Sequence, residues 1–314
     1  MNPITSEKNK LGFLGVGYMG RPIVQRLLES GFKVAAYDRD RSKAEELIRS
    51  GGTVAESVAQ VSSTCDVLLS CLPSDEAVLD VYKGPNGAFA NARRGALVID
   101  MSTVNPETSL ELSRLGSECG VDVLDVTISG STPAAEQGAL ILFGGGDQEC
   151  FVAAESIFRA IARKHFYLGP SGSGAIMKLV VNALLGIGMQ AIAEAVAFGE
   201  KSGLDRNRLL DVLSQTAVVA PAHVGKLQRA MTNDYSPQFP LRLMHKDFGL
   251  MLSHAAAAGA DLPATRVAFE VNSAQSAQGP EQDFSAVILE MEKRAHLGSA
   301  EQGATRIGAA ASSK

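Results

Sequence analysis

Residues 11–38 read LGFLGVGYMGRPIVQRLLESGFKVAAYD, and the fold turns on this stretch. An apolar run, Leu11–Val16, leads into Gly15-x-Gly17-x-x-Gly20. Helical periodicity follows over Met19–Ser30, and a second apolar run, Lys33–Tyr37, ends at Asp38. Each glycine has its own physical role. Gly15 makes the tight turn, Gly17 lets backbone approach a pyrophosphate, and Gly20 allows close packing of helix on strand. A lone glycine triplet is equally a plain turn. Here strand, helix, second strand and terminal acid agree, so the unit reads as a dinucleotide site, with Tyr18 and Met19 in the same loop.

Asp38 can accept both hydroxyls of an adenosine ribose, and its charge repels a 2′-phosphate, which favours NAD. Arg39, Arg41, Ser42 and Lys43 follow at once, and a guanidinium suits phosphate capture, so NADP stays open. Arg41 and Lys43 also read as a solvated first helical turn.

Working outward, apolar runs recur at Val67–Leu72, Ala96–Met101, Val121–Ile128, Ala139–Phe143 and Phe166–Leu168, with a helical segment at Ser42–Arg49. Strands alternating with helices predict an α/β domain with a mostly parallel, doubly wound sheet. Ligands lie outside the carboxyl ends of such strands, so Leu72 and Pro73 after one strand, and Ser102 and Thr103 after another, are expected to line the cofactor cleft. Ser102 and Thr103 can also serve only as caps.

Past Gly174 the pattern becomes helix after helix: Ala175–Ser202, Arg206–Ser214, Ala222–Met231, Leu241–Ala258, Leu262–Ala277 and Ser285–Ala295. The domain plan is a disordered N-terminus over 1–10, a dinucleotide-binding domain over 11–173, an all-helical substrate and dimerisation domain over 174–297, and a flexible tail over 298–314. A long interdomain helix joins the halves. Its uncharged run Leu179–Ala193, interrupted by Asn182 and Gln190, is too short for a membrane span and reads as a buried helix. Lys178 and Asn182, four apart, share one helix face. An apolar setting lowers a lysine pKa toward neutrality and fits it for proton exchange; a lysine reaching out to solvent satisfies the same spacing.

GFLGVGYMGRP, DVTISGSTPAAEQGAL, GSGAIMKLVVN and MHKDF, in this order, resemble the four motifs of the β-hydroxyacid dehydrogenases, over about residues 10–297. That family includes 3-hydroxyisobutyrate, 4-hydroxybutyrate and tartronate-semialdehyde enzymes. The resemblance implies that Lys178 is the general acid/base and that Asn182 helps position the substrate. It also implies that Ser129, Gly130 and Ser131 hold the substrate carboxylate, with Ser131 standing where the family more often has glycine. Lys246 matches the family's lysine near the nicotinamide end of the cofactor, and Asp247 braces it. Arg242 and Phe239 are further candidates for the substrate pocket.

The implied activity is an NAD(P)-dependent oxidoreductase interconverting a small β- or γ-hydroxy acid and its semialdehyde. Two alternatives share the fold: an imine reductase, and a non-catalytic nucleotide-binding scaffold. Lys178 argues against both. Phosphogluconate dehydrogenases share the architecture, but here the helical half is shorter and lacks a basic phosphate pocket.

The net charge of −5, with no basic stripe or polybasic segment, argues against nucleic acid and membrane partners. The four cysteines have no ligand spacing and read as reduced residues of a cytoplasmic protein; the N-terminus lacks an apolar signal core. None of the five histidines has metal-ligand spacing, so no metal is expected. The apolar helical half predicts a homo-oligomer, a dimer at least or a tetramer.

Overall fold

The structure, a computed structural model, describes residues 1–297. The expected tail over 298–314 lies outside the described residues. By packing, the chain falls into two units: residues 1–183 with 249–261, and residues 184–248 with those from 262 on.

The first unit is built on one eight-stranded sheet: β1 (Lys10–Leu14), β2 (Lys33–Tyr37), β3 (Thr53–Val54), β4 (Val67–Ser70), β5 (Leu97–Asp100), β6 (Asp122–Ser129), β7 (Leu140–Gly145) and β8 (Ala162–Tyr167). Their spatial order is β3-β2-β1-β4-β5-β6-β7-β8. Every neighbouring pair is parallel except β6 with β7. The chain starts at β1, winds outward to β3, then returns to β4 on the other side of β1, so the β1/β4 boundary is the switch point where such sheets open a crevice.

Alternation explains why the central strands are apolar throughout. Leu11, Phe13, Leu69, Leu97 and Ile99 pack on one face with the helix Gly20–Glu29. Leu14, Leu68 and Val98 pack on the other face with Tyr82, Phe89 and Leu112. A strand covered on both sides needs apolar residues in both registers.

Three expectations are corrected. The first ten residues are held, not disordered: Ile4 is buried, its N–H donates to Ala153 O at 2.9 Å, and its carbonyl accepts from Ser156 Oγ at 2.5 Å. β3, two residues long, has too little apolar run to read, and β8 begins four residues before its expected start. Arg163 and Lys164 on β8 mask the strand pattern, as charged residues on an edge strand do. The helix Ser173–Lys201 is not a buried helix: Ile176, Val180, Leu184 and Phe198 are exposed. Among the described residues it is also the one helix long and apolar enough to cross a membrane by length and composition; a third of its most apolar window is buried.

The second unit is helical. Arg206–Ser214, Pro221–Ala230 and Pro263–Ser276 flank the remaining turns around Met189, Leu210, Leu227, Met244, Phe248 and Phe284. A buried ion pair, Lys226 Nζ to Asp283 Oδ2 at 2.6 Å, ties the second of these helices to the backbone N–H groups of Gln238 and Phe239, which also donate to Asp283.

Candidate active site

In the first unit, the loop after β1 forms as its glycines require. Gly15 has φ +94°, and a Cβ there would lie 2.5 Å from Cys71 O; a Cβ on Gly20 would lie 2.1 Å from Gly15 O. Gly17 differs, because a Cβ there would meet no atom within 4 Å. The helix Gly20–Glu29 opens beside it with no side-chain cap and no acid in its first turn. The N–H groups of Arg21 and Ile23 close back on Gly17 O at 3.1 Å and Met19 O at 3.3 Å, so an anion would meet the backbone of the loop itself, and the helix dipole behind it favours one. Tyr18, exposed, and Met19, packed on the core, complete the loop.

At the end of β2, Asp38 Oδ2 accepts the N–H of Val16 at 2.8 Å, and Oδ1 accepts that of Asp40 at 2.9 Å. The carboxylate is thereby fixed to the glycine loop. Arg39 is exposed, whereas Arg41 is engaged by Glu45 at 2.8 Å and by Glu56 at 2.5 Å. Open space at Gly17, an uncapped helix start and an anchored acid together fit a dinucleotide. Gly15–Gly20 would hold its pyrophosphate and Asp38 its ribose.

The loops after β4 and β5 lie side by side. The N–H of Leu72 donates to Ser102 Oγ at 2.9 Å, and Ser102 Oγ donates to Asp100 Oδ1 at 2.6 Å. Ser70 Oγ also donates to Asp100 Oδ1 at 2.6 Å and accepts from Tyr82 Oη at 2.8 Å. Burial raises the Asp100 pKa, against the pull of the two hydroxyls, and burial likewise raises the Tyr82 phenol. This buried network fixes Leu72, and with it Pro73, next to Ser102 and Thr103. Ser102 is thus a buried bracket between loops, beyond any capping role.

β6 runs four residues past the point where Asp125 pairs with Asp100 at the end of β5, so Ser129–Ser131 lie at the same carboxyl end of the sheet. Gly130 has φ +142°, a conformation few side chains tolerate. Ser131 precedes the helix Thr132–Glu136 but makes no side-chain cap bond to it. Thr132 Oγ1 lies 3.9 Å from Met19 Sδ, which places this loop against the glycine loop.

Lys178, half-buried, and Asn182, 1% exposed, follow on the helix Ser173–Lys201 within the same unit. The start of that helix is held from β6. Asp125 Oδ1 accepts the N–H of Gly172 at 2.9 Å, Oδ2 accepts that of Ala175 at 3.0 Å, and Thr127 Oγ1 donates to Gly174 O at 2.8 Å. Burial pushes the Asp125 carboxyl up to about 6, against the backbone N–H groups that hold it down. The sequence reading missed Asp125, Thr127, Ser70 and Tyr82. The one local signal was a carboxylate in the middle of an apolar strand.

The remaining candidates lie in the second unit. Asp247 is buried, with Lys246 Nζ at 3.1 Å from its Oδ1. Arg242 is paired with Glu281, so the guanidinium expected to reach a substrate carboxylate is taken by a protein one. Phe239 packs edge-on to Phe284, ring centroids 5.7 Å apart. Among the described residues, no group of three or more His, Cys, Asp or Glu is placed to hold a metal.

Comparison with known proteins finds family models, relatives and solved structures similar to this chain. A family model described as the NAD binding domain of 6-phosphogluconate dehydrogenase matches residues 10–169. A second, the NAD-binding part of NADP-dependent 3-hydroxyisobutyrate dehydrogenase, matches 172–291. The chain is 36% identical over 279 residues to glyoxylate/succinic semialdehyde reductase 2, chloroplastic, of Arabidopsis thaliana, covering 88% of this chain and 78% of that one. It is 31% identical to 2-(hydroxymethyl)glutarate dehydrogenase of Eubacterium barkeri, covering 89% and 93%. A solved 3-hydroxyisobutyrate dehydrogenase of Mycobacterium tuberculosis, with L-serine, superposes with a TM-score of 0.81 at 30% identity, covering 90% and 98%.

Proposed function

Since the chain belongs to the β-hydroxyacid dehydrogenase family, we propose that it interconverts a short β- or γ-hydroxy acid and its semialdehyde, with Lys178 exchanging the proton. It is an NAD(P)-dependent dehydrogenase. The substrate class is supported by the named relatives, whose substrates are small carboxylates bearing an aldehyde or a hydroxyl.

A bound nicotinamide supplies the hydride acceptor or donor. The chain's own residues do the rest. Backbone N–H and hydroxyl donors at Ser129–Ser131 take the carboxylate, Gly130 letting the backbone come close. Asn182 orients the reacting carbon. In oxidation, neutral Lys178 takes the hydroxyl proton as the carbonyl forms; in reduction, its ammonium returns a proton to the carbonyl oxygen. The observation that carries this reading is the pairing of Lys178 with buried Asn182 one turn on, in a helix anchored to the strand that ends at Ser129.

We also propose NAD as the preferred cofactor. Asp38 presents a fixed negative charge at the ribose end, and Arg41 is already neutralised by Glu45 and Glu56. A homo-oligomer is proposed as well, on the apolar face that the long helix leaves exposed.

The test is absorbance at the reduced-nicotinamide band with a panel of short semialdehydes and hydroxy acids, NAD and NADP in parallel, for the natural chain and Lys178→Ala. Turnover of one carboxylate class that collapses in the variant is the expected result. Undiminished turnover in Lys178→Ala, or none with any carboxylate, overturns the reading.

A further inference from the structure

Side chains on a strand alternate, so Asp125, Thr127 and Ser129 share one face of β6. The first two grip the start of the helix that carries Lys178, and the third opens the loop assigned to the substrate carboxylate. The grip is unusual in its source. A helix start is ordinarily capped by the residue just before it, but here the acceptor comes from a strand 47 and 50 residues upstream. A local cap satisfies N–H groups yet leaves the helix free to rotate and slide against the sheet.

The β6 contacts remove that freedom. Two N–H groups and one carbonyl are held at three points by side chains that are almost wholly buried. The carbonyl that Thr127 binds, Gly174 O, is also the one that an α-helix pairs with the N–H of residue 178. Packing reinforces the bonds. A Cβ on Gly174 would lie 2.4 Å from both Asp125 O and Phe143 O, and one on Gly145 would lie 2.7 Å from Asp125 Oδ1 and 2.9 Å from Ser173 N. The helix start therefore sits flush on β6 and β7.

We propose that Asp125 and Thr127 are positioning residues for Lys178, with β6 acting as a ruler that fixes the Lys178 amine against the carboxylate loop beginning at Ser129. The inference rests on the reading of Lys178 and Ser129 given above. It separates two functions: the Ser129 loop holds the substrate whether or not the helix is tightly docked, whereas proton exchange needs the amine in place. Misplacement by about 1 Å costs on the order of a hundredfold in rate, so loss of one of three contacts is expected to cost roughly tenfold.

The experiment compares Thr127→Val, which keeps shape and removes the hydroxyl, with Thr127→Ser, which restores it. Expected for Thr127→Val are a kcat lowered roughly tenfold, an unchanged KM for the carboxylate substrate and an unchanged cofactor Kd, with Thr127→Ser close to the natural chain. In protein without cofactor, the NMR resonance of 13C-dimethylated Lys178, identified by its loss in Lys178→Arg, should shift in Thr127→Val and return in Thr127→Ser. In a Lys178→Ala background, Thr127→Val should cost nothing further. A full additional loss there, or a Thr127→Val kcat equal to that of the natural chain, overturns the inference while leaving Lys178 catalytic. Failure of Lys178→Ala to lower turnover overturns the underlying reading instead. Should Thr127→Val not fold, Asp125→Asn, which keeps one acceptor oxygen, takes the same tests.

Discussion

Asp125 Oδ2 accepts the backbone N–H of Ala175 at 3.0 Å, three residues before Lys178, so the start of the long helix is closed by a buried carboxylate. Burial holds this carboxyl at about 6, against 3.8 for an unperturbed aspartate. With the folded pKa above the unfolded one, the unfolded chain releases its proton first as pH rises. Stability from this group is full below about pH 4, falls through about pH 6 and is level beyond, a loss of about 3 kcal/mol for a two-unit shift. Urea unfolding of the natural chain and of Asp125→Asn from pH 4 to 7 should show the natural chain losing that amount relative to the variant. Parallel curves would sink the assignment.

The proposed preference for NAD over NADP rests on Asp38. Its carboxylate is fixed by Val16 and Asp40, so it cannot swing away from a 2′-phosphate, and Arg41 is held by two acids. Asp38→Asn removes the repulsion but keeps an oxygen for the Val16 N–H. The ratio of kcat/KM with NADP to that with NAD should rise by roughly tenfold or more. A ratio already favouring NADP in the natural chain contradicts the proposal.

Gly17 and Gly20 predict opposite stability outcomes for the same kind of change. A Cβ at Gly17 meets no atom within 4 Å, so Gly17→Ala should keep its melting temperature within a few degrees while losing cofactor affinity to steric exclusion. A Cβ at Gly20 collides with Gly15 O, so Gly20→Ala should lose both, by about 2 kcal/mol or more of stability. Differential scanning fluorimetry with and without cofactor separates them. Equal melting points for the two variants would refute the contrast.

These contrasts also show what was readable. The span from Gly15 to Asp38 was legible because its signal is local: glycine spacing, helix period and a terminal acid lie within one strand-helix-strand unit. That Lys178 and Asn182 share one face of a helix was legible in the same way, from their spacing, while the roles proposed for them came from the resemblance. The clamp was not, because Asp125 and Ala175 are 50 residues apart and each looks ordinary in its own segment. The network of Ser70, Tyr82, Asp100 and Ser102 failed to show for that reason too. β8 was cut short because Arg163 and Lys164 break its apolar run at an edge where charge is tolerated. An apolar helix, finally, has the same composition whether its own chain covers it or another does.

That ambiguity leads to the oligomeric state. Leu184 is 72% exposed and Phe198 75%, and Ala191 and Ala195 between them are exposed as well. Spacings of seven, four and three residues put all four on one stripe of the helix. An aromatic ring offers about 150–250 Å² for burial, at about 25 cal/mol per Å², so covering this stripe is favourable by several kcal/mol. A second copy supplies the same stripe, and two small alanines in its middle allow close approach of helices. Light scattering coupled to size exclusion should therefore give at least twice the monomer mass. Leu184→Glu with Phe198→Glu should shift the mass to monomer at micromolar concentration, while Val218→Glu, at an 89% exposed site off this helix, should not. A monomeric natural chain, or a double variant that keeps its mass, would remove the stripe as the contact.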